Sequence, residues 1–421
     1  MAKVLRIVFI VWLLATIIFV ALYWRMIHMV ATYNTVILPP MYSEPVDLAE
    51  ARQQDLDYFR KLIRIDRSFS EAARHEFLAR VDQIEADSAA MSEAAFYLAL
   101  REAAALADNG HSNVSDGPLI REFAKIGAKL YWFVDGLFVV RADAAHAGTV
   151  GARVIAVDGR DMEDVVTTLQ QYRGGNPAWR KLLMPLMIES PAIMHAAGLA
   201  DDPGVVTMTL EFPSGARRDI AFAGTLHENA TDLPRRDEWM TLRPEPLPDE
   251  DAGWERSLTA TGAAAPLYLR DTEEAYVAAL PGNGHYIRTK TGFGSAEQSI
   301  QEFFEAAIGG IDDGALDYLV VDCRWNGGGD YMRSIDFAKT APGKVRDGGT
   351  LYLLVGPNTF LKRLNLLRIS DSTMTYRGLP YSLSSASTGI PSTRSTPLLS
   401  CDRNFSHRSR RYRSDMGKPF G

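Results

Sequence analysis

Residues 318–331, YLVVDCRWNGGGDY, run an apolar strand directly into three consecutive glycines. Tyr318 to Val321 are β-branched or aromatic and suit a strand covered on both faces. Asp322, Arg324 and Asn326 then place polar groups on one side as the strand emerges. Gly327, Gly328 and Gly329 lack a Cβ, so the chain can turn with positive φ and a ligand can approach the amides. N–H groups exposed at such a turn bind an anion or stabilise a developing one. The competing reading of three glycines is an ordinary tight turn. The second segment with chemical capacity is AALADNGHSNV, residues 104–114, where His111 follows the end of an apolar helix. A loop histidine is either idle in solvent or a proton acceptor near neutral pH. Asp108 beside it suits a loop-orienting or helix-capping role.

Several other chemistries are excluded. No G-x-x-x-x-G-K-[ST] occurs, and the triple glycine is followed by Asp330 instead of a phosphate-pairing lysine, so nucleotide binding is not indicated. HEFLA at 75–79 lacks the second histidine of a zincin helix, and GFGSA at 292–296 is not G-x-S-x-G. The two cysteines, Cys323 and Cys401, form neither a disulfide framework nor a zinc-ligand spacing. No cofactor and no metal are expected.

The elements that must position these residues are legible from periodicity. Leu56, Phe59, Leu62 and Ile63 recur at helical spacing, as do Phe77, Leu78, Val81 and Ile84. A third helix is predicted from Ser92 through Phe96, Leu100, Ala103 and Leu106, with Gly110 as a left-handed cap. Short alternating runs follow from 129 to 225: KLYWFV, GLFVVRA, ARVIAVDG, VVTMTLEF and RDIAFAG. The Pro- and acid-rich stretch 243–253 reads as a linker. Strands are then expected at LYLR, AYVAAL and GHYIRTK. A helix follows, capped by Ser295-x-x-Gln298, with Ile300, Phe303, Phe304, Ala307 and Ile308 on one face. It leads to the strand at 318 and a further one in GTLYLLVGPNTF. Strands alternating with helices imply parallel pairing and an α/β core.

Residues 7–24 are 18 uncharged, mostly apolar residues, long enough to span a bilayer. Lys3 and Arg6 precede them while Glu44, Asp47 and Glu50 follow, which places the N-terminus inside and the bulk of the chain outside. No cleavage-like site follows Trp24, so a retained signal anchor is expected. The net charge of −7 conceals a split. Residues 361–421 hold nine Arg and two Lys against three Asp and no Glu, a balance of +8, against −15 for residues 1–360. Serine rises to twelve there while alanine falls to one. A break this abrupt marks a boundary; a shift of reading frame would produce it, and the segment is expected not to be a native ending of the fold. Contact of this basic stretch with nucleic acid or acidic lipid ranks last, because nucleic acid is scarce outside the membrane and interleaved aromatics are lacking.

The helix ending in D-N-G-H-S, the strand ending in D-C-R-W-N-G-G-G and the following GPNTF together resemble the S41 family of serine peptidases, the tail-specific, C-terminal processing and tricorn-core-like proteases. The resemblance covers roughly residues 45–360 and is strongest from 285 to 360. It implies an α/β fold: an N-terminal helical segment plus a core of ββα units like that of ClpP and crotonase, incomplete at the C-terminus. Together with the composition and charge pattern it divides the chain into six expected segments: a signal anchor at 1–30, a helical subdomain at 45–115, a β-rich subdomain, with a PDZ domain as one reading, at 116–242, a linker at 243–259, a peptidase core at 260–360 and an atypical basic tail, expected to be disordered, at 361–421. GARVIAVDG resembles the second half of a PDZ domain, and a simple strand–turn–strand of the core fits it equally. By the same resemblance His111 is the general base, Gly327, Gly328 and Gly329 supply an oxyanion hole, and Asp322, Arg324 and Asn326 form the site scaffold, the first two as a structural pair. The serine expected after GPNTF is replaced by Leu361, and neither Lys362 nor Lys418 can be placed as a catalytic lysine. The expected function is a membrane-anchored, extracytoplasmic serine-type peptidase acting on peptide or protein substrate. The alternative is a non-catalytic peptide-binding or scaffold protein on the same fold.

Overall fold

The computed structural model describes residues 2–37, 41–226, 242–262, 265–269, 274–359 and 374–376. The described residues all belong to one compact unit; Leu361, Lys362, Cys401 and Lys418 lie outside the described residues, as does all of the tail except 374–376.

The chain opens with helix α1 (Ala2–Ile37), whose apolar side chains from Leu5 to Trp24 are largely exposed. Among the described residues no helix is long and apolar enough to cross a membrane, so the span expected at 7–24 is not established by the structure. Helices α2 (Leu48–Ile63), α3 (Glu71–Asp87) and α4 (Glu93–Ala105) begin at Asp47, Ser70 and Ser92, whose side chains accept the N–H of Glu50, Ala73 and Ala95. Each such cap is worth about 1 kcal/mol. Leu56, Phe77, Val81, Ile84, Phe96 and Ala103 form their shared core. Leu78, expected on the same face, is exposed: Phe77, Val81 and Ile84 complete the i, i+4, i+7 stripe, and Leu78 points about 100° away from it.

The middle of the chain forms an antiparallel sheet. Its strands are β1 (Lys125–Ile126), β2 (Ala128–Phe133), β3 (Gly136–Ala142), β4 (Arg153–Val157), β5 (Arg160–Asp161), β6 (Val205–Glu211), β7 (Arg217–Thr225) and β8 (Glu255–Arg256), in the order β1-β7-β6-β4-β3-β2, with β5 beside β4 and β8 beside β3. The DG sequence at 158–159 closes a hairpin: Asp158 and Gly159 both have positive φ, and Val157 pairs with Arg160. Asp161 then caps the helix Met162–Leu169. The stretch expected as a linker is fastened to this sheet. Leu247 is buried, Asp249 pairs with buried Lys129 at 2.7 Å, and Glu250 accepts from Arg141 at 2.8 Å and from Arg256 at 2.7 Å.

The second sheet comprises β9 (Ala275–Leu280), β10 (Gly284–Thr289), β11 (Leu316–Asp322), β12 (Val345–Leu354) and β13 (Met374–Tyr376), in the order β13-β12-β11-β10-β9. β9 and β10 pair antiparallel; all the other pairs are parallel, with helices Ile300–Gly309 and Ile335–Thr340 as crossovers. The α/β core expected from the alternation of strands and helices is therefore present, and β13 adds a strand within the segment read as a tail. Leu319, Val321 and Cys323 of the β11 segment pack with Ile287, Phe304, Ile308, Phe337 and Leu353. Tyr318 and Val320 on the other face are only half-buried, so the strand is fully covered on one face and not on both. Two local expectations are corrected. LYLR is not a strand, because Leu267–Leu269 form a 3-10 turn. The capping box lies four residues later than read: Ser299 accepts the N–H of Glu302, whose carboxylate returns to the Ser299 N–H at 2.9 Å, while Ser295 accepts from Glu297 and Gln298 in the preceding turn. A carboxylate closes the box more strongly than the Gln298 amide would.

Candidate functional site

The ends of β10, β11 and β12 meet at one place. Parallel pairing brings Arg288 beside Asp322 and Asp322 beside Leu354, so the three chains leave the sheet together. Asp322 is 1 % exposed and accepts from Arg324 Nε at 2.9 Å, from the Arg324 N–H at 3.1 Å and from the Tyr286 hydroxyl at 2.8 Å. The Arg324 guanidinium also lies 4.1 Å over the Tyr268 ring. Burial, reinforced by the Asp322 charge, raises the Tyr286 hydroxyl well above the usual phenol range. Burial likewise pushes the Cys323 thiol up to about 12, so it is inert as a nucleophile near neutral pH. Asn326 is buried and donates its amide to Thr289 Oγ1 at 2.9 Å.

The glycine turn is stitched rather than open. Gly327 donates its N–H to the Lys290 carbonyl at 3.0 Å, and Gly328 donates to Asn326 Oδ1 at 2.9 Å. Gly329 forms a parallel bridge with Gly292, whose N–H donates to the Gly328 carbonyl at 2.6 Å. Among the described residues, the Gly329 N–H has no hydrogen-bond partner. Gly329 has φ of +145°, and a Cβ there would sit 2.6 Å from the Gly292 Cα, so no side chain is accommodated. Of the three amides read as oxyanion donors, two are thus spent inside the turn. The part played by Gly292 was not visible in the sequence, where GFGSA shows only as a failed nucleophile motif.

The loop after β12 is docked on the same strand end. Thr359 Oγ1 donates to the Cys323 carbonyl at 2.7 Å and accepts the Gly356 N–H at 2.8 Å, while Asn358 Nδ2 donates to the Trp325 carbonyl at 3.3 Å. Phe360 and Leu361, the expected nucleophile turn, lie outside the described residues.

His111 is exposed on the loop after α4. The left-handed residue at this helix end is Asp108, with φ of +46°, and not Gly110; aspartate tolerates that conformation because its short side chain bonds locally. Asp108 Oδ1 accepts from Arg180 and from the Gly175 N–H. Asn109 Oδ1 accepts the His111 N–H at 2.9 Å, Asn109 Nδ2 donates to Ser68 at 2.7 Å, and Ser112 donates to Asp66 at 2.6 Å. Five residues on, buried Asp116 accepts from Arg101 at 2.9 Å and from Arg173 at 2.7 Å. Burial alone would raise the Asp116 carboxyl, but the two guanidinium groups outweigh it and hold it at about 2. The histidine loop is therefore clamped on both sides. Val114 of this loop and Trp325 of the glycine segment each pack against the large buried cluster of the middle of the chain. Among the described residues no group of three or more His, Cys, Asp or Glu could hold a metal ion.

No family model and no curated relative matches the chain. Solved structures similar to it include mature CPAF complexed with lactacystin, at a TM-score of 0.40 and 15% identity over 69% of this chain and 59% of that one. Mature CPAF alone matches at 0.39 and 15% over 68% and 57%, and the photosystem II D1 C-terminal processing protease at 0.22 and 15% over 74% and 75%. The chain therefore spans about 59% of the first of these. The likenesses are distant, and the functional reading rests on the chain's own residues.

Proposed function

We propose that this chain carries the scaffold of an S41-type serine peptidase and holds an extended peptide between the His111 loop and the glycine turn. The observation that carries the reading is the convergence of the β10, β11 and β12 ends on one turn, in which the Gly329 N–H has no partner among the described residues. A peptide carbonyl placed there would accept that N–H, and a fixed amide of this kind is worth about 3–4 kcal/mol to a developing oxyanion. In an active relative of this design, His111 would take the proton of an attacking hydroxyl. Leu361 stands where the resemblance calls for that hydroxyl, and a leucine side chain has no nucleophilic atom. The chain as given accordingly binds peptide without cutting it. Residues 7–24 anchor it in a membrane with the bulk extracytoplasmic, a reading supported by Lys3 and Arg6 ahead of the apolar run and by the exposed apolar side chains of α1.

The test treats the full chain with a fluorophosphonate probe and, separately, titrates it with a fluorescent unstructured peptide. Saturable peptide binding with neither labelling nor turnover is expected. Covalent labelling would place a nucleophile elsewhere in the chain, and absence of peptide binding would remove the reading altogether.

A further inference from the structure

A cavity of about 370 Å³ opens beneath the His111 loop, within the helical segment. Its apolar lining includes Phe59, Leu62, Phe69 and Phe77; His111 and Ser112 belong to the loop side. Phe77 and Phe69 are buried at 1 % and 8 % exposure, so the interior is made of core side chains, whereas His111, which also lines the cavity, is exposed. We infer that this cavity is a specificity pocket that receives one aromatic side chain of the bound peptide.

Three features select that occupant. The volume lies near the bottom of the range of about 300–1,000 Å³ for small-ligand sites, which leaves room for one bulky side chain. The lining already displays aromatic edges: Phe59 and Phe69 each meet Phe77 edge-to-face, with centroids 4.8 and 5.4 Å apart. A guest ring can join such a set at the same spacing, gaining contact beyond simple area burial. The polar lining is confined to Asp66 and the loop residues 111–113. Both Asp66 carboxylate oxygens already accept hydrogen bonds, from the Ser112 hydroxyl and the Ser68 N–H, so neither is left unsatisfied beside an apolar guest. A peptide main chain crossing the opening would pass His111 while its side chain enters. The inference rests on the peptide-binding reading above and names the side chain that site selects.

The test uses the full chain and two blocked tetrapeptides that differ only in a central Phe or Ala, with affinities measured by calorimetry. The Phe peptide should bind roughly ten- to hundred-fold more tightly, as burial of one large apolar side chain implies. Ala104 also lines the cavity, and Ala104→Leu should reduce that preference below about threefold. Cooperative thermal unfolding checks that this variant is folded. Should it not fold, Leu62→Trp at a half-buried position of the lining makes the same test. Equal binding of both peptides, or a preference that survives filling, would overturn the inference and leave peptide binding standing. Binding of neither peptide would remove both.

Discussion

Replacing Asp116 by asparagine leaves two buried guanidinium groups without their counter-charge. The side chains of Arg101, Arg173 and Asp116 are 1 %, 4 % and 6 % exposed, and both arginines donate to the same carboxylate oxygen. Breaking a buried pair from one side costs about 3–5 kcal/mol, because the remaining charge has lost its solvation and gained nothing in return. Asp116→Asn should therefore lower stability by that amount at neutral pH. A second arm follows from the carboxyl's low pKa. Held at about 2 in the folded chain, against about 3.9 when unfolded, it contributes about 2–3 kcal/mol. Because the folded value is the lower one, this contribution is complete above about pH 4 and fades as pH falls through 2. Urea unfolding of both proteins at pH 5 and pH 2 reads the two arms. The gap between wild type and variant should narrow by about 2 kcal/mol at the lower pH. A neutral-pH loss under about 1 kcal/mol, or a gap that does not narrow, would refute the claim that this ionised carboxylate holds the His111 loop to α4.

Further outcomes can be checked alongside. Gly329→Ala should destabilise by about 2 kcal/mol or more, since its Cβ would meet Gly292 backbone and its φ is positive, whereas Gly327→Ala, with open space at its Cβ, should cost under about 1 kcal/mol; thermal unfolding separates them. Ser299→Ala should cost about 1 kcal/mol and Ser295→Ala much less, which tests the corrected cap of the helix Ile300–Gly309. Burial pulls Lys125 down to about 7; the unfolded chain then binds more protons than the folded one above that pH, so stability should rise from pH 7 towards 10, and Lys125→Met should flatten the rise. Protease added outside spheroplasts should digest the chain to a short anchored stub; protection of residues 45–421 would contradict the proposed orientation.

Much of the fold was legible because its cues are local. Phe77, Val81 and Ile84 announce a helix face, the DG at 158–159 announces a hairpin, and the strand–helix alternation from 275 to 354 announces parallel pairing. The misreadings arose where two local patterns compete. Ser295-x-x-Gln298 and Ser299-x-x-Glu302 both fit a capping box, and only the stronger acceptor decides between them. LYLR has strand composition but remains a single turn. At the site, the strand end and its glycines were visible in sequence. Their internal engagement was not, because Gly327 is satisfied by Lys290 and Gly329 is matched to Gly292 across some thirty-seven residues. The pinning of 243–253 was hidden for the same reason, since its prolines and acids read as a linker until Lys129 and Arg141 are seen to need carboxylate partners.

The most direct test of a shared peptide site follows two nuclei in a single titration. The chain is labelled so that the His111 Cε1–H and the Gly329 amide are resolved by NMR, and an unstructured phenylalanine-containing peptide is added. The account predicts that both signals move together with one dissociation constant, the amide shifting as it takes up a carbonyl. Movement of one signal without the other, or of neither at saturating peptide, would contradict the claim that the histidine loop and the glycine turn form one site.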